Sequence, residues 1–254
     1  MEQQVLQHVL STPGTKGSPE KVLQAIDEFA QKRRLMIVGR QKGLLVLDAI
    51  REKEPAIMVE LGCYVGYSAI LFGAELATQN EKYSENYNTP ARYYSFEICP
   101  EFAAVARQMV EHAGLSGTVE IIVGPAGRTL PQFQHRLKEQ FHKYTPVDVV
   151  FVDHAKELYV PDFRVLESQG LIAPDTVIVA DNIFLPGAPD YVQYVQSSPE
   201  YRRDHNQRTI NVSNAECEGR WNLLYDSRTV PVEDPETGRR DAVEITRCVS
   251  YLSG

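Results

Sequence analysis

The sequence has few cysteines, no long apolar run and no signal-peptide pattern, and each absence excludes a class of protein. Its 254 residues include four cysteines, Cys63, Cys99, Cys217 and Cys248, and none of them forms a C-x-x-C pair. This usage is typical of reduced thiols in a cytoplasmic protein and excludes a disulfide framework or a zinc site. No stretch approaches the roughly 20 apolar residues of a transmembrane helix, and the start lacks a basic flank followed by an apolar run.

The chain also lacks an excess of basic residues. Lys and Arg number 26 against 34 Asp and Glu, so the net charge is −8. Non-specific binding to nucleic acid relies on clustered basic residues, so we expect no nucleic-acid partner, and we expect no membrane or protein partner either. Hydrophobic residues make up 43% of the sequence, enough for a sizeable core, and one domain over residues 1–254 is the simplest account.

From residue 57 onward, short apolar strands alternate with helical patterns. The sequence predicts strands at 57–61, 93–97, 119–123, 147–153 and 176–181, and helices at 67–77, 100–113, 130–141, 160–169 and 189–197. Repeated strand–helix units imply a parallel sheet with helices on both faces. Two helical patterns come first, one capped by Ser18 and one at 41–53, in an N-terminal region (1–55) that we expect to cover the substrate and cofactor site.

The end of the chain has a different pattern. Segments 221–225 and 243–252 are predicted strands, joined by a polar loop with turn residues at 234–238. No helix is available to cross over between them, so we expect an antiparallel hairpin at the sheet edge. The polar segment 78–92 is predicted to be a surface insertion. The predicted fold class is therefore α/β: a single-domain, Rossmann-like fold with a mostly parallel, seven-stranded sheet and a C-terminal hairpin.

Acidic residues follow two of the predicted strands. Asp153 follows the apolar run that begins at Val147, and Asp181 and Asn182 follow Thr-Val-Ile-Val-Ala. Parallel strands present their carboxyl ends at one edge of a sheet, where open α/β sheets bind their ligands. Three hard oxygen ligands suit Mg²⁺. The duller alternative is that the two acids only cap the segments that follow them.

A glycine loop follows the first predicted strand, Glu60-Leu-Gly62-Cys-Tyr-Val-Gly66-Tyr-Ser68. Its G-x-x-x-G spacing differs from the G-x-G-x-x-G of dinucleotide enzymes, which disfavours a dinucleotide oxidoreductase. It better suits a nucleoside with an amino-acid tail, such as S-adenosylmethionine. Glu97 ends the second strand, where an acid can accept both ribose hydroxyls. Alternatively, the glycines form only a turn and Glu97 is a solvated strand end.

Over about residues 17–198, these stretches resemble catechol O-methyltransferase, a class I S-adenosylmethionine-dependent methyltransferase. The matching stretches are Met36-Ile-Val38-Gly39-Arg-Gln-Lys42-Gly43, the glycine loop from Glu60 to Ser68, Phe96-Glu97-Ile98, Val152-Asp-His-Ala-Lys156 and Ala180-Asp-Asn-Ile-Phe-Leu-Pro-Gly-Ala-Pro-Asp190. The last two stretches together are the most specific, because they contain the expected metal ligands and the expected base at the spacing of the family.

The resemblance implies S-adenosylmethionine and Mg²⁺ as cofactors and a catechol-type small molecule as the methyl acceptor. Lys156 would be the general base, and Asp153, Asp181 and Asn182 the metal ligands. The implied cofactor residues are Met36, Val38, Glu60, Gly62, Tyr64, Tyr67, Ser68, Glu97, Ile98, Ala126, Gly127, Asp153 and His154. The implied substrate residues are Arg34, Met36, Lys156, Asn182, Pro186 and Trp221.

The chain departs from the family pattern at several positions. Ala155 replaces a tryptophan beside the adenine, Arg34 replaces a tryptophan at the acceptor wall, and Ala126-Gly127 replaces a Ser-Gln pair. The family's C-terminal glutamate has no secure counterpart, because Leu224 takes its place in the simplest register; Trp221 could replace the lost wall. We therefore expect an acceptor larger or more anionic than catechol, with Arg34 meeting its tail. A coenzyme A ester and a catalytically silent binding protein stay open as alternatives.

Overall fold

The structure is a computed structural model that describes residues 1–83, 90–141, 145–233 and 238–252. The chain divides into two compact units, Met1–Gly124 and Pro125–Gly254. The prediction that residues 1–254 form one domain, with residues 1–55 covering the site, stays a prediction.

The first unit consists of N-terminal helices followed by a βαβαβ segment. Its elements are α1 (Glu2–Ser11), α2 (Pro19–Lys32), α3 (Gly39–Lys53), β1 (Ile57–Leu61), α4 (Tyr67–Tyr83), β2 (Arg92–Glu97), α5 (Pro100–His112) and β3 (Val119–Val123). β2 pairs in parallel with both β1 and β3. Every residue of β1 is buried, which is typical of a central strand in a parallel sheet covered on both faces.

The helix α1 corrects the sequence analysis, which predicts no helix before residue 18. Its signal is present, because Val5, Leu6 and Val9 are buried along one side of the helix. The predicted start of α2 is confirmed, since the Ser18 side chain accepts a hydrogen bond from the backbone of Lys21 and a proline opens the helix.

The second unit contains the other strands of the sheet. Its elements are α6 (Ala126–Phe141), β4 (Val149–Val152), α7 (Tyr159–Ser168), β5 (Val177–Ala180), α8 (Pro189–Gln196), α9 (Pro199–Arg208), β6 (Leu223–Glu233) and β7 (Arg240–Tyr251). A 3-10 turn, Lys156–Leu158, precedes α7, and a second turn, Ile183–Gly187, precedes α8. β4 and β5 are parallel, whereas β7 is antiparallel to both β5 and β6.

Within the described residues, the strands form one seven-stranded sheet in the order β3-β2-β1-β4-β5-β7-β6. The predicted fold class, a mostly parallel sheet surrounded by helices with a C-terminal antiparallel hairpin, is confirmed. Of the predicted insertion at 78–92, residues 78–83 extend α4 and residues 84–89 lie outside the described residues. Of the predicted turn at 234–238, residues 234–237 also lie outside them.

The helix α9 is missing from the sequence analysis because its sequence has no apolar periodicity. Its buried residues are Arg202 and Asn206, which lie one turn apart. Arg202 donates hydrogen bonds to the backbone carbonyls of Ser197, Trp221 and Leu223. A buried guanidinium requires such acceptors, and these connect α9 to the start of β6.

A buried carboxylate connects the helices and the hairpin of the second unit. Glu167, on α7, is fully buried and accepts hydrogen bonds from the hydroxyls of Tyr194 and Tyr225 at 2.8 and 2.6 Å. It also accepts one from the backbone of Arg220 at 3.0 Å. Three donors on one buried acid make this cluster a stabilising contact between α7, α8 and β6.

Glu167 leads to a prediction about the pH dependence of stability. Burial raises the pKa of its carboxyl group above the ordinary value for a glutamate. The folded protein therefore binds this proton more tightly than the unfolded chain, so the free energy of unfolding falls as pH rises between the unfolded and folded pKa values. The slope can reach about 1.4 kcal/mol per pH unit. We expect Glu167→Gln to remove this part of the pH dependence, measured by denaturant titrations at a series of pH values. If the free energy of unfolding of the variant changes with pH as that of the wild type does, the prediction is wrong.

Candidate active site

The ends of β4 and β5 bring the predicted acidic residues together. Val152 pairs with Ala180, and the backbone N–H of Asp181 donates to the carbonyl of Val152 at 2.9 Å. Asp153 and Asp181 therefore follow neighbouring positions at the carboxyl edge of this strand pair. Asp181 is buried, whereas the side chain of Asp153 is 19% exposed.

Asn182 adds an amide to the two carboxylates. Its backbone is left-handed, with φ 57° and ψ 41°, and its backbone N–H donates to Asp181 Oδ1 at 2.6 Å. Its side-chain nitrogen donates to Asp241 Oδ2 at 3.1 Å, so the amide oxygen is the atom suited to a cation. Among the described residues, no three His, Cys, Asp or Glu side chains form a metal-holding group. Two carboxylates and one amide oxygen still fit Mg²⁺, which prefers hard oxygen ligands.

The predicted base lies beside these ligands. Lys156 Nζ donates to Asp153 Oδ1 at 3.0 Å and to the Tyr159 hydroxyl at 2.6 Å. The Tyr159 hydroxyl in turn donates to the backbone carbonyl of Asp181 at 3.1 Å. Burial raises the pKa of Tyr159, and the negative charges of Asp153 and Asp181 raise it further, so the phenol stays protonated.

Tyr159 and Asp241 are residues of this site that the sequence analysis missed. Tyr159 had a local signal, since it lies three residues after Lys156 at the start of a helix. Asp241 had no local signal, because 59 residues separate it from Asn182.

His154 has two partners on α7, Asp162 and Tyr159. Its Nε2 atom lies 3.0 Å from the carboxylate of Asp162, which is 2% exposed. Its ring stacks on Tyr159 with a centroid distance of 5.1 Å. These contacts fix the imidazole next to the site; its predicted contact with the cofactor stays a prediction.

In the first unit, the glycine loop has the backbone that its sequence predicts. Gly62 and Gly66 have φ of 101° and 90°, and Tyr64 is left-handed at 51°. A side chain at Gly66 would lie 3.2 Å from Ala106, so α5 approaches too closely for a larger residue.

Glu97 holds this loop through backbone amides. Its Oε2 atom accepts from the N–H groups of Cys63 and Tyr64 at 3.1 and 2.7 Å, and its Oε1 atom accepts from Cys99 at 2.8 Å. A carboxylate has about four acceptor positions, and these three donors leave one on Oε1. Accepting both ribose hydroxyls, as predicted for Glu97, therefore requires one of these amides to be displaced.

Other predicted cofactor residues of the first unit are engaged within that unit. Glu60 is buried and accepts a hydrogen bond from Ser95, and Ser68 is also buried. The Tyr64 hydroxyl donates to Glu2 of α1 at 2.9 Å. Tyr67 is buried, which raises its pKa.

The remaining candidates of the first unit differ in exposure. Met36 and Ile98 are exposed, at 69% and 63%, and Arg34 is exposed as well. Val38 is buried, at 5%. The exposed side chains are accessible to a ligand, whereas Val38 belongs to the core of its unit.

Gly127 packs against another segment of the second unit, and the predicted cofactor contacts of Ala126 and Gly127 stay predictions. Ala126 and Gly127 form the first turn of α6, where the sequence analysis predicts no helix before residue 130. A side chain at Gly127 would lie 2.3 Å from the backbone oxygen of Ser213. Its own carbonyl accepts from the Asn214 side chain at 2.9 Å. Glycine is required here because another segment of the chain covers it.

The structure also corrects the placement of Trp221. Asp181 follows Ala180, which pairs with Glu244, whereas Trp221 precedes Leu223, which pairs with Tyr251. Glu244 and Tyr251 are seven strand residues apart, or roughly 24 Å. Trp221 therefore lies at the opposite end of the hairpin, where the Arg203 guanidinium lies 5.4 Å from its ring. Pro186, in contrast, is exposed on the turn directly after Asn182.

Comparisons with known proteins identify the family of this chain. A family profile described as a methyltransferase domain matches residues 59–183. The catechol O-methyltransferase of Bos taurus is 38% identical over 231 residues, covering 91% of this chain and 78% of that protein. The chain belongs to the catechol O-methyltransferase family. The enzyme class predicted from the sequence, an S-adenosylmethionine-dependent O-methyltransferase, is thereby confirmed.

Two further relatives extend the comparison. A probable O-methyltransferase of Mycobacterium tuberculosis is 36% identical over 199 residues, covering 77% of this chain and 78% of that protein. The crystal structure of the Bacillus cereus O-methyltransferase in complex with SAH superposes with a TM-score of 0.59 at 20% identity. The match covers 97% of this chain and 96% of that one, and it supports the fold. Across the described ranges, no helix combines the length and apolarity that crossing a bilayer requires.

Proposed function

We propose that this protein transfers the methyl group of S-adenosylmethionine to one hydroxyl of a catechol-type small molecule, with Mg²⁺ held by Asp153, Asp181 and Asn182. The observation that carries the proposal is the position of Lys156 Nζ, 3.0 Å from Asp153 Oδ1 at the ends of β4 and β5. A base beside hard oxygen ligands is what deprotonation of an aromatic diol requires.

The chemistry follows from the low nucleophilicity of the acceptor. A catechol hydroxyl has a phenol-like pKa of roughly 10, so it is largely protonated at neutral pH. When bound, Mg²⁺ supplies positive charge to the diol oxygens and S-adenosylmethionine supplies the methyl group. Lys156 takes the hydroxyl proton, while Asp153 and Tyr159 hold its Nζ atom in place.

The first unit is proposed to bind the methyl donor. The glycine loop 60–68 is proposed to meet the amino-acid tail and Glu97 the ribose, with one of the Cys63, Tyr64 and Cys99 amides displaced from Glu97 when both ribose hydroxyls bind. Met36 and Ile98 are proposed to contact the cofactor through their exposed side chains.

The protein is proposed to act in the cytoplasm. Its acceptor is proposed to be a diphenol that is larger or more anionic than catechol. Support comes from Arg34, an exposed guanidinium where family members have a tryptophan, and from the exposed Pro186 beside Asn182. Arg34→Trp should shift the preference from acidic toward neutral catechols, and an unchanged preference would remove Arg34 from the proposal.

A screen of neutral and acidic diphenols and a coenzyme A ester with methyl-labelled S-adenosylmethionine tests this function. We expect label transfer to at least one diphenol, loss of transfer in excess EDTA, and recovery when Mg²⁺ is added back. Transfer that continues undiminished in EDTA would exclude the metal-dependent reaction. Binding of the methyl donor without transfer to any acceptor would indicate a silent binding protein.

Tyr159 provides a prediction about the base. Tyr159→Phe removes the hydroxyl that accepts from Lys156 Nζ and donates to the Asp181 carbonyl, but keeps the ring. Hydrogen bonds to charged groups contribute about 1.5–3 kcal/mol, so we expect kcat to fall about 10-fold to 100-fold. Affinity for S-adenosylmethionine, measured by calorimetry, should stay at the wild-type value. If the variant loses affinity for S-adenosylmethionine by the same factor as kcat, the substitution has damaged the protein in general.

A further inference from the structure

We propose that Asp241 is a positioning residue: it turns the Asn182 amide so that its oxygen serves the cation, and it fixes the turn Ile183–Gly187 beside the acceptor. The inference rests on the proposed function, because it concerns the cation and acceptor of the same site. It adds a residue of β7 to the residues that the ends of β4 and β5 supply.

The first support is the set of donors to the Asp241 carboxylate. Its Oδ2 atom accepts from Asn182 Nδ2 at 3.1 Å. Its Oδ1 atom accepts from the backbone N–H groups of Phe184 and Leu185 at 3.2 and 3.1 Å, and from Ala242 at 2.8 Å. One side chain thus holds both a proposed metal ligand and the turn that follows it.

The sheet register explains why this residue reaches the site. Ala180, the last residue of β5, pairs with Glu244 of β7. β7 begins at Arg240, so the hairpin continues past the end of β5 and carries Asp241 alongside the residues that follow this strand. Asp241 itself pairs with Val232 of β6, which holds the end of β7 in place.

The Asn182 amide has two different ends, and only its oxygen can bind a cation. Asp241 accepts from the nitrogen, which selects the orientation that leaves the oxygen for the cation. Without this acceptor the amide can rotate and direct N–H donors toward the proposed cation. Outer partners that orient metal ligands commonly contribute 10-fold to 100-fold in metal affinity.

The same carboxylate holds the turn that carries Pro186, a proposed substrate residue. Phe184 and Leu185 are apolar residues with 53% and 39% of their surface exposed. Their side chains are only partly covered, and their backbone amides donate to Asp241. Release of this turn should therefore raise KM for the acceptor.

Three of these N–H donors fall on Oδ1 of Asp241 and one, Asn182 Nδ2, falls on Oδ2. The carboxylate therefore contacts the amide nitrogen of Asn182 and the turn that follows it. The inference therefore predicts that its effect on the metal passes through Asn182.

The test compares Mn²⁺ binding to the wild type and to Asp241→Asn, by titration followed by electron paramagnetic resonance. The variant places an amide opposite the Asn182 amide, and we expect the Mn²⁺ Kd to rise about 10-fold to 100-fold. The acceptor KM should rise, whereas affinity for S-adenosylmethionine should not change. Asp226→Asn is the matched control: it removes the same charge from the hairpin at a residue paired with Arg247, roughly 20 Å along β7. Its Kd should equal the wild-type value.

A double-mutant cycle with Asn182→Ala distinguishes two effects of Asp241: orientation of the Asn182 amide, and direct attraction between its own charge and the cation. With alanine at residue 182, Asp241→Asn should weaken Mn²⁺ binding no further, and an equal loss in both backgrounds would overturn the inference. Asp241→Glu, which keeps the charge but moves the carboxylate, serves as a second variant; it should weaken Mn²⁺ binding with an unchanged thermal midpoint. If the wild type binds no Mn²⁺, the proposed function fails; if wild type and both Asp241 variants bind it equally, only the inference fails.

Discussion

Replacing Asp181 and Asn182 together by alanine should reduce methyl transfer at least about 1,000-fold. The two residues follow β5 directly and, with Asp153, supply the proposed oxygen ligands. A bound divalent cation contributes several kcal/mol of charge stabilisation, and each 1.36 kcal/mol corresponds to a factor of ten in rate. The measurement is single-turnover transfer from labelled S-adenosylmethionine to the best diphenol of the screen, over a range of Mg²⁺ concentrations.

The control for this variant is Asp204→Ala, which removes an exposed carboxylate from α9 of the same unit. It should transfer methyl groups at the wild-type rate. The double variant should keep its affinity for the methyl donor, because neither Asp181 nor Asn182 is among the proposed cofactor residues. Wild-type transfer by the double variant would exclude this metal site, because catalysis would then proceed without two of its three proposed ligands.

Replacing Lys156 by methionine should lower kcat about 100-fold to 10,000-fold, the usual contribution of a positioned general base. Methionine keeps an unbranched chain of similar length but has no amine to take the acceptor proton. Pre-steady-state transfer should slow by the same factor as kcat, while Mn²⁺ should still bind. Lys138→Met, on an exposed face of α6, is the matched control and should not change either quantity.

A second substitution separates the base from the ion pair. Lys156→Arg keeps a positive charge near Asp153 Oδ1, with which Lys156 forms a 3.0 Å ion pair. An arginine cannot give up its proton in a protein, so it preserves the electrostatic contact without a base. We expect Lys156→Arg to be as impaired as Lys156→Met. Wild-type kcat in the arginine variant would assign Lys156 an electrostatic role and not that of a base.

The order of strands and helices could be predicted from the sequence because its signals are local. Apolar runs such as Val149–Val152 and Val177–Ala180 read as buried strands, and the Ser18-Pro19 pair marks the start of a helix. The polar helix α9 was missed for the same reason: its buried face carries Arg202 and Asn206, so its sequence lacks the apolar periodicity by which helices are recognised.

Local sequence patterns were enough to predict the fold class, the family, and the acidic and amide residues that follow β4 and β5. These depend on neighbours in the chain, because a strand that stops on an acid is read from a few consecutive residues. Three features became visible only in the folded chain: Asp241 holds Asn182, Tyr159 joins Lys156 to the Asp181 backbone, and Trp221 lies at the far end of the hairpin. Such contacts depend on strand register and packing. They join residues that are far apart in the chain, so no short stretch of sequence contains both partners.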